Sequence, residues 1–466
     1  MSYRILSAVF LLTLWSCQST TEVGTPKLEG LAPPVAASAA MPEWAKDAAI
    51  YEVNIRQHTP EGTFKAFTAD MDRIVDLGSD ILWLMPMFPI SEAERKGPLG
   101  SPYAVADYTT VNPEFGTEAD FQALVDRAHE LGMRVILDFV PNHTGWDHAW
   151  ISDQPDWYTQ NEAGEIIDPI EPETGESWGW TDVADLNHGN PDMRAAMIDD
   201  LVYLIETFDI DGYRMDVAHQ VPDVFWAELT PRLRAAKADV FMLAEAEIPS
   251  QLNQEFFAAN YGWEFHHIIN GIAQGDSSAE QIKSWFEEFD HDHEYGFQMQ
   301  FITNHDENSW SGTVRERMGN NWQPMAVLTN TIEGMPLIYS GQEAGLDHQL
   351  RFFSKDTISF ADTSRYGFYR SLQELKTETK ALWNGSYGAS PQFLETATDP
   401  KTTIAYARVK GEHGVLVLLN FGDSSADFVL PQVAHGRYID AFTEAETIVS
   451  EAAVTVAANG YRLLKF

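Results

Sequence analysis

The chain has 466 residues and a formal net charge of −40, because 30 Lys and Arg stand against 70 Asp and Glu. This acidic excess argues against a nucleic-acid-binding protein, which needs a basic surface to neutralise phosphates. A hydrophobic content of 44% and an aromatic content of 12% supply a sizeable core and argue against a largely disordered chain. The length fits several domains or one large α/β barrel.

The N-terminus has the layout of an export signal. Arg4 precedes an apolar run over 5–15, which is too short to span a bilayer as a helix. The tetrapeptide LWSC at 14–17 resembles a bacterial lipobox, in which the cysteine is lipidated. We therefore predict a lipoprotein-type signal peptide over 1–17. The alternative is an ordinary signal peptide with a chance cysteine.

The segment over 18–42 is rich in Ser, Thr, Ala, Pro and Gly, which predicts a flexible linker. Together, signal and linker predict an exported protein that is lipid-anchored in the bacterial cell envelope, at the outer membrane or in the periplasm. The membrane is then a partner only through this anchor. Since Cys17 is the only cysteine, neither a disulfide nor a thiol nucleophile can contribute to the globular part.

From residue 48 onward, short apolar runs alternate with amphipathic segments. In 117–131, for example, Phe121, Leu124, Val125 and Ala128 recur at helical spacing. Strands that alternate with helices indicate parallel strands with helical crossovers, and eight such units predict a (β/α)8 TIM barrel. The predicted strands are Ala49–Asn54, Ile81–Met85, Arg134–Phe139, Ile210–Met215, Val240–Ala244, Trp263–His267, Met299–Thr303 and Pro336–Tyr339.

Two regions depart from this alternation. About 143–209 is too long for a loop and rich in Trp, Pro, Gly and Asp, so we predict a short inserted subdomain after strand 3. The catalytic barrel with this insertion is predicted over 43–383. A C-terminal antiparallel β-sandwich domain is predicted over 384–466 from short alternating strands, for example Thr403–Val409, Gly414–Asn420 and Val454–Phe466.

Polar clusters follow several of these strands. Active sites of parallel barrels lie at the C-terminal ends of the strands, where a buried carboxylate is costly unless it is paired or used. Asp216, Glu245 and Asp306 are predicted at one rim. An ion-pair network around Arg214 would explain one or two of them, but not all three. The clusters are Asp138–His143, Gly212–Asp216, Leu243–Glu245 and Asn304–Asp306.

Paired carboxylates without a thiol or a metal motif point to glycoside hydrolysis. An ionised carboxylate attacks the anomeric carbon while a protonated one donates to the leaving oxygen. Arg214 lies two residues before Asp216, on the same face of its strand, and is expected to lower the pKa of Asp216 and hold it ionised. Glu245 follows a more apolar run and is the candidate for the acid with a raised pKa.

In this order and on these strands, the four clusters resemble the conserved regions of the α-amylase family, glycoside hydrolase family 13. Tyr103–Tyr108 and Asp185–Asn187 are similar to two further segments of that family. The resemblance implies a retaining enzyme in which Asp216 is the nucleophile and Glu245 the general acid/base. Asp306 would stabilise the transition state by holding hydroxyl groups of the substrate.

The resemblance also implies a set of substrate-binding residues. His143 and His305 would hydrogen-bond the sugar at the cleavage subsite, although either histidine alone would more often be structural. Tyr103 would stack beneath that sugar, and Arg214 would orient the nucleophile. Asp138 belongs to the same predicted substrate-binding set.

Five tryptophans of the predicted insertion have two alternative roles. They either offer flat surfaces for pyranose rings or form the core of the inserted subdomain. Trp180 is the candidate for a substrate-binding residue, with Trp178 beside it, and Trp310 just past Asp306 is a candidate wall of a subsite. The five are Trp146, Trp150, Trp157, Trp178 and Trp180.

Calcium is the only candidate cofactor. By resemblance, Asn142 corresponds to a calcium ligand of the family, and its oxygen suits this ion. Asn187, however, stands where the family has an aspartate. His219 and Gln220 replace a Lys-His pair whose histidine carbonyl helps to hold the ion.

The sequence therefore predicts a retaining glycosidase that cleaves α-1,4-glucosidic bonds in starch or maltodextrins. A 4-α-glucanotransferase, or an oligosaccharide α-glucosidase or neopullulanase, is the alternative. Asp216–Val221 and Tyr339–Glu343 look closer to family members that act on short α-glucans. A non-catalytic glycan-binding lipoprotein is a remote alternative, because such a protein would not need all three carboxylates. The predicted partner is an α-glucan and not a nucleic acid.

Overall fold

Eight parallel strands close into a barrel in the structure, a computed structural model that describes residues 24–30, 33, 35–171 and 174–466. We number the strands β1 to β8 in chain order, and β8 pairs with β1 to complete the circle. This confirms the predicted (β/α)8 barrel. The strands are β1 Ile50–Val53, β2 Ile81–Leu84, β3 Arg134–Phe139, β4 Gly212–Met215, β5 Phe241–Ala244, β6 Ala259–Tyr261, β7 Phe297–Gln300 and β8 Met335–Tyr339.

The predicted sixth strand is wrong. Trp263–His267 lies in the helix Trp263–Gln274, and β6 is the shorter segment that precedes it. Phe265 and Ile269 are buried four residues apart, so these apolar side chains cover one face of a helix. The predicted seventh strand was shifted, since β7 begins at Phe297.

Helices surround the barrel. Glu118–Glu130 begins with a capping box in which Thr117 and Asp120 each accept a hydrogen bond from the other's backbone N–H. Its buried Phe121 confirms the predicted helical face. The other helices are Ile55–His58, Phe64–Thr68, Met71–Leu77, Ala149–Asp153, Pro191–Phe208, Asp223–Ala236, Pro249–Asn253, Trp263–Gln274, Glu280–Asp292, Val314–Met318, Trp322–Thr331 and Tyr366–Glu378.

Between β3 and β4 the chain forms a small antiparallel pair and then a long helix. His143–Gly145 pairs with Val183–Asp185. Pro191–Phe208 starts at the capping residue Asn190 and packs against Asp223–Ala236. The end of the predicted insertion therefore belongs to the outer ring of barrel helices, and the inserted part proper is the segment before Asn190.

At the start of β4, two strands approach each other too closely for a side chain. A Cβ atom on Gly212 would lie 1.9 Å from the carbonyl oxygen of Phe241 in β5. Glycine at this position therefore permits the β4–β5 pairing that carries Arg214 to the rim.

The C-terminal domain is antiparallel, as predicted, and consists of a six-stranded and a two-stranded sheet. One face of the larger sheet packs on the barrel through Val415 and Val417, and the other packs on the smaller sheet through Leu416 and Leu418. The larger sheet has the order Gln392–Phe393, Thr403–Lys410, His413–Asn420, Gly460–Lys465, Gly436–Asp440 and Glu446–Val449, and the smaller one pairs Ala426–Phe428 with Val454–Val456.

The predicted strand Val454–Phe466 is divided between these two sheets. Asn459 has a left-handed backbone (φ 48°) at the turn that separates its halves. The larger sheet is also joined to the barrel by polar contacts, because the buried guanidinium of Arg408 donates to the carbonyls of Ile332 at 2.8 Å and of Ala389 at 2.7 Å.

The described part of the predicted linker packs on the folded domains. Leu28 belongs to the core of the C-terminal domain, and Met41 joins the cluster inside the barrel. The predicted signal peptide, including Cys17, lies outside the described residues. In the part of the chain that the structure describes, no helix is long and apolar enough to cross a membrane.

Candidate active site

The C-terminal ends of the barrel strands open into a cleft of about 590 Å³. All three predicted catalytic carboxylates line it, while Arg214 and Asp138 are fully buried beneath it. The structure thus brings the predicted site residues together, although they come from distant parts of the sequence. Among the lining residues are Tyr103, His143, Trp180, Asp216, Glu245, His305 and Asp306.

Arg214 connects the acidic residues of the rim. Its Nη1 donates to Asp138 Oδ1 and to Asp216 Oδ1, each at 2.8 Å. Its Nη2 lies 2.9 Å from Glu245 Oε2, and its Nε donates to the hydroxyl of Tyr261 at 3.1 Å. One guanidinium therefore holds the predicted nucleophile and the predicted acid/base in fixed positions near each other.

Backbone hydrogen bonds extend the barrel pairing up to the predicted catalytic residues. The N–H of Asp216 donates to Phe139 at 2.9 Å, and that of Glu245 donates to Met215 at 3.0 Å. The next residue, Val217, has a left-handed backbone (φ 49°), which is rare for a β-branched side chain. Its N–H donates to Glu245 Oε2 at 2.8 Å, so this strained turn also orients the acid/base.

Burial dominates the electrostatics of the acidic cluster. It raises the pKa of Asp216 well above its usual range, while the guanidinium of Arg214 lowers it and the carboxylates of Glu245 and Asp138 raise it further. Burial likewise raises the pKa of Asp138 to about 6 against the opposing charge of Arg214. Arg214 makes the predicted contact and lowers the pKa of Asp216 as expected, but the net shift is upward, because burial among like charges outweighs one cation.

His305 has a partner on each ring nitrogen. Its Nδ1 lies 2.5 Å from Glu52 Oε1, and its Nε2 lies 2.8 Å from the Tyr103 hydroxyl and 3.3 Å from Asp306 Oδ2. Burial alone would lower the pKa of His305, but the carboxylates of Asp306 and Glu52 outweigh it and raise the pKa to about 9. His305 is therefore a cation at neutral pH.

Glu52 is a site residue that sequence reasoning missed. It is fully buried at the end of β1, and its Oε2 has no hydrogen-bond partner among the described residues. Burial raises the pKa of Glu52 against the opposing charge of His305. A single glutamate in the otherwise apolar run Ile50–Val53 was the available signal, since inward-facing strand residues are rarely acidic without a function.

His143 lines the cleft as predicted, and burial lowers its pKa to about 3, so it is neutral. Asn142 places its Nδ2 3.3 Å from His143 Nδ1, which suits an orienting role. Asn187 uses its Oδ1 to accept the N–H of Gly189 at 3.0 Å. No group of three His, Cys, Asp or Glu within the described ranges could hold a metal ion. The side-chain oxygen of Asn187 is already engaged by Gly189, and we assign no catalytic step to calcium.

The insertion supplies one wall of the cleft. Trp178 and Trp180 stack with their ring centroids 5.8 Å apart, and Trp180 lines the cleft. Trp150 and Trp157 instead pack against each other and the main core. Trp178 and Trp180 thus fit the predicted sugar-binding role, whereas Trp150 and Trp157 fit the predicted core role. Trp178 is 41% exposed, which leaves its indole available to a sugar.

The loop that contains Lys96 contacts both the inserted subdomain and the opposite wall of the cleft. Lys96 Nζ lies 2.8 Å from Asp182 Oδ1 and donates to the carbonyl of Gly179 at 3.1 Å, so it fixes the insertion. Three residues on, Leu99 donates to the carbonyl of Phe353 at 3.0 Å on the opposite wall. Lys96, Asp182 and Phe353 all line the cleft, so this end is bounded by a salt bridge.

The opposite wall is aromatic and contains the predicted subsite residue Trp310. This indole is 58% exposed and lies 5.3 Å from the ring of Phe352, which itself stacks on Tyr103 at 6.2 Å. Beside Glu245, the cleft is lined by His219, Glu247 and Trp263.

A TIM barrel whose rim carries three carboxylates around one buried arginine, in a cleft with aromatic walls, defines a glycoside hydrolase site. The family model for the α-amylase catalytic domain matches residues 45–384. The chain belongs to the α-amylase family, glycoside hydrolase family 13, and is an amylase-type enzyme.

Known relatives share most of the chain. A cyclomaltodextrinase of Geobacillus thermopakistaniensis is 26% identical, in an alignment that covers 84% of this chain and 67% of the relative. The structure of an α-amylase from Lactobacillus plantarum is 30% identical with a TM-score of 0.80, covering 91% of this chain and 99% of the other. A maltogenic α-amylase from Thermotoga neapolitana has the same TM-score and coverage at 26% identity.

Proposed function

We propose that this enzyme is a retaining glycosidase that hydrolyses α-1,4-glucosidic bonds in starch or maltodextrins. The observation that carries the proposal is the contact of one guanidinium with both Asp216 and Glu245, with Asp306 in the same cleft. Two carboxyl groups held this near each other suit a direct attack by one of them, which requires a separation of about 5–5.5 Å. An inserted attacking water would need a wider gap.

The mechanism has two steps. Asp216 attacks the anomeric carbon and forms a glycosyl-enzyme ester, while Glu245 gives its proton to the glycosidic oxygen of the departing sugar. Glu245 then takes a proton from a water molecule, whose oxygen attacks the anomeric carbon and releases Asp216. Asp306 and the two histidines would hold the hydroxyl groups of the sugar during both steps.

The site holds more acidic than basic side chains. Asp138, Asp216, Glu245, Asp306 and Glu52 are five acids, against the two cations Arg214 and His305. Burial and mutual repulsion raise the pKa values of Asp216, Asp306 and Glu52. Such a cluster titrates as a coupled unit, and in the proposed mechanism Glu245 supplies the proton to the leaving oxygen.

Similarity to a cyclomaltodextrinase and to a maltogenic α-amylase supports short α-glucans as substrates. The aromatic walls support the same class, since pyranose rings pack on indole and phenyl faces. Transfer of the glycosyl group from Asp216 to a second sugar is the competing reaction. His219 and Trp263 beside Glu245 would contact that acceptor.

Product analysis tests this proposal on the soluble chain that starts after Cys17. Soluble starch, maltoheptaose, pullulan and cyclodextrin are each incubated with the enzyme, and the early products are separated. Shorter maltooligosaccharides confirm hydrolysis, and products longer than maltoheptaose show transfer. Absence of turnover on all four would refute the proposed activity.

The Glu245→Gln variant tests the proposed acid. It should lose at least about 100-fold of kcat, because general acid catalysis contributes 10²–10⁴-fold, while it still binds glucan. Glu228→Gln, at an exposed glutamate that pairs with the buried Arg194, is the matched control and should keep wild-type activity. Full turnover by Glu245→Gln would exclude this residue as the acid.

We further propose that Cys17 carries a lipid that anchors the enzyme in the cell envelope. The proposal rests on the LWSC tetrapeptide at 14–17. In a bacterial host, wild type should incorporate labelled fatty acid and fractionate with membranes, and Cys17→Ala should do neither. Equal labelling of both proteins would refute the anchor.

A further inference from the structure

Hydrogen-bond donors and acceptors around His305 favour the doubly protonated imidazolium. The hydroxyl of Tyr103 donates its single proton to Asp138 Oδ2 at 2.9 Å. It can then only accept from His305 Nε2, 2.8 Å away, so Nε2 carries a proton. Nδ1 lies 2.5 Å from Glu52 Oε1 and donates as well when Glu52 is ionised.

We propose that Glu52 is a positioning residue that keeps His305 doubly protonated, so that His305 acts as a cationic hydrogen-bond donor at the cleavage subsite. Glu52 itself cannot contact a substrate, because it is fully buried and does not line the cleft. Its effect must therefore pass through His305, which does line the cleft. This inference rests on the proposed function for its kinetic consequence only.

Among the carboxylates that contact the imidazole of His305, Glu52 is the closer one, at 2.5 Å against 3.3 Å for Asp306. Oε1 of Glu52 is 2.5 Å from Nδ1 and also accepts the backbone N–H of His305 at 3.3 Å, so ring and backbone are held together. The edge of His305 meets the Trp83 ring, with centroids 5.8 Å apart. The imidazole is thus packed against a side chain of β2 while it contacts Glu52.

Other charged and titratable groups face His305 from each neighbouring element. Asp306, the adjoining residue, favours the imidazolium, and Arg214 on β4 opposes it. Asp138 on β3 interacts favourably with the imidazolium, and Tyr103 contributes a neutral hydroxyl. Without Glu52, the carboxylates of Asp306 and Asp138 would still favour the imidazolium, against burial and one guanidinium.

In a neutral His305 that keeps its Nδ1–H, the Nε2 atom would become an acceptor. It would no longer donate to the Tyr103 hydroxyl, and its lone pair would face Asp306 Oδ2 at 3.3 Å. The consequence is a weaker hold on Asp306, which is proposed to bind hydroxyl groups of the substrate. Glu52→Gln preserves shape and one hydrogen bond while it removes the charge, so it isolates this effect.

The test is the titration of His305 in the whole soluble enzyme, followed by NMR of histidine labelled with ¹³C at Cε1. The His305→Asn variant assigns the signal. We expect a midpoint near 9 in the wild type and a midpoint at least about one unit lower in Glu52→Gln. Glu343→Gln is the matched control, because Glu343 is equally buried but contacts Tyr51 and Arg73 instead. It should leave the midpoint unchanged.

A second readout uses kinetics on maltoheptaose. Glu52→Gln should lose about ten-fold or more of kcat/KM at pH 8, and the loss should shrink towards pH 6, where His305 regains its proton. If Glu52→Gln does not fold, the midpoint of His305 in the wild-type titration is by itself the test of the inference. A wild-type midpoint near 6.5, or equal midpoints in wild type and Glu52→Gln, would overturn the inference. Inactivity of the wild type on glucans would refute the proposed function and leave the titration result standing.

Discussion

Replacing Arg214 by leucine should destabilise the protein, and the size of the loss should depend on pH. The guanidinium is fully buried and contacts three carboxylates, those of Asp138, Asp216 and Glu245, at 2.8, 2.8 and 2.9 Å. Removing one partner of a buried ion pair costs about 3–5 kcal/mol. We expect a loss of this size in the free energy of unfolding at pH 8, against a total stability of about 5–15 kcal/mol.

The pH dependence follows from the direction of the pKa shifts. The pKa of Asp138 is about 6 with Arg214 present, and loss of this cation raises it further. A carboxyl group whose pKa is higher in the folded than in the unfolded state gains stability as the pH falls. The difference between wild type and Arg214→Leu should therefore be largest at pH 8 and much smaller at pH 5.5.

Urea unfolding at both pH values, followed by tryptophan fluorescence, measures this difference. Arg232→Leu is the control, because Arg232 forms an exposed ion pair with Asp199 and its loss should have a small effect at either pH. The same loss at pH 5.5 and pH 8 would refute the electrostatic reasoning. It would indicate instead that packing of the guanidinium on the rings of Trp83 and Tyr261 is what matters.

Three further predictions concern the cleft and the barrel. Lys96→Ala removes the salt bridge to Asp182 that bounds one end of the cleft, so early products from starch should become longer. Chromatography of the digest measures the product lengths, and an unchanged product pattern would contradict this prediction. Trp178→Ala should raise KM for long maltodextrins at least about two-fold without changing kcat on maltotriose, because stacking contributes roughly 0.5–1.5 kcal/mol. Equal KM values in the two proteins would show that Trp178 does not bind the glucan. Gly212→Ala should lower the melting temperature of the enzyme, because its Cβ would clash with the Phe241 carbonyl at 1.9 Å, and an unchanged melting curve would argue against this close approach.

The predicted catalytic residues came from local sequence features. Asp216, Glu245 and Asp306 each follow a buried strand, and a closed parallel barrel brings all C-terminal strand ends to one rim. Their convergence therefore needed only the correct fold class. The β6 error has the opposite cause. Three residues before Gly262 are too few to show a period, and the neighbouring helix has the stronger apolar pattern.

Glu52 and the salt bridge of Lys96 show what sequence alone could not supply. The contact between Glu52 and His305 joins residues 253 positions apart, and it depends on which side chains point into the barrel. Lys96 and Asp182 lie on two loops whose relative placement no local pattern determines. The net direction of the pKa shift of Asp216 could not be predicted, because the number of buried like charges is known only after folding.

The central strands of the six-stranded C-terminal sheet are covered on both faces, by the barrel on one side and by the smaller sheet on the other. The guanidinium of Arg408 further ties it to backbone carbonyls beside β8. The barrel and the C-terminal sheet therefore form one packed unit, and they have to be kept together when the enzyme is engineered. A chimera that joins this barrel to the terminal domain of a relative would have to carry over the Arg408 contacts and the apolar face around Val415 and Val417.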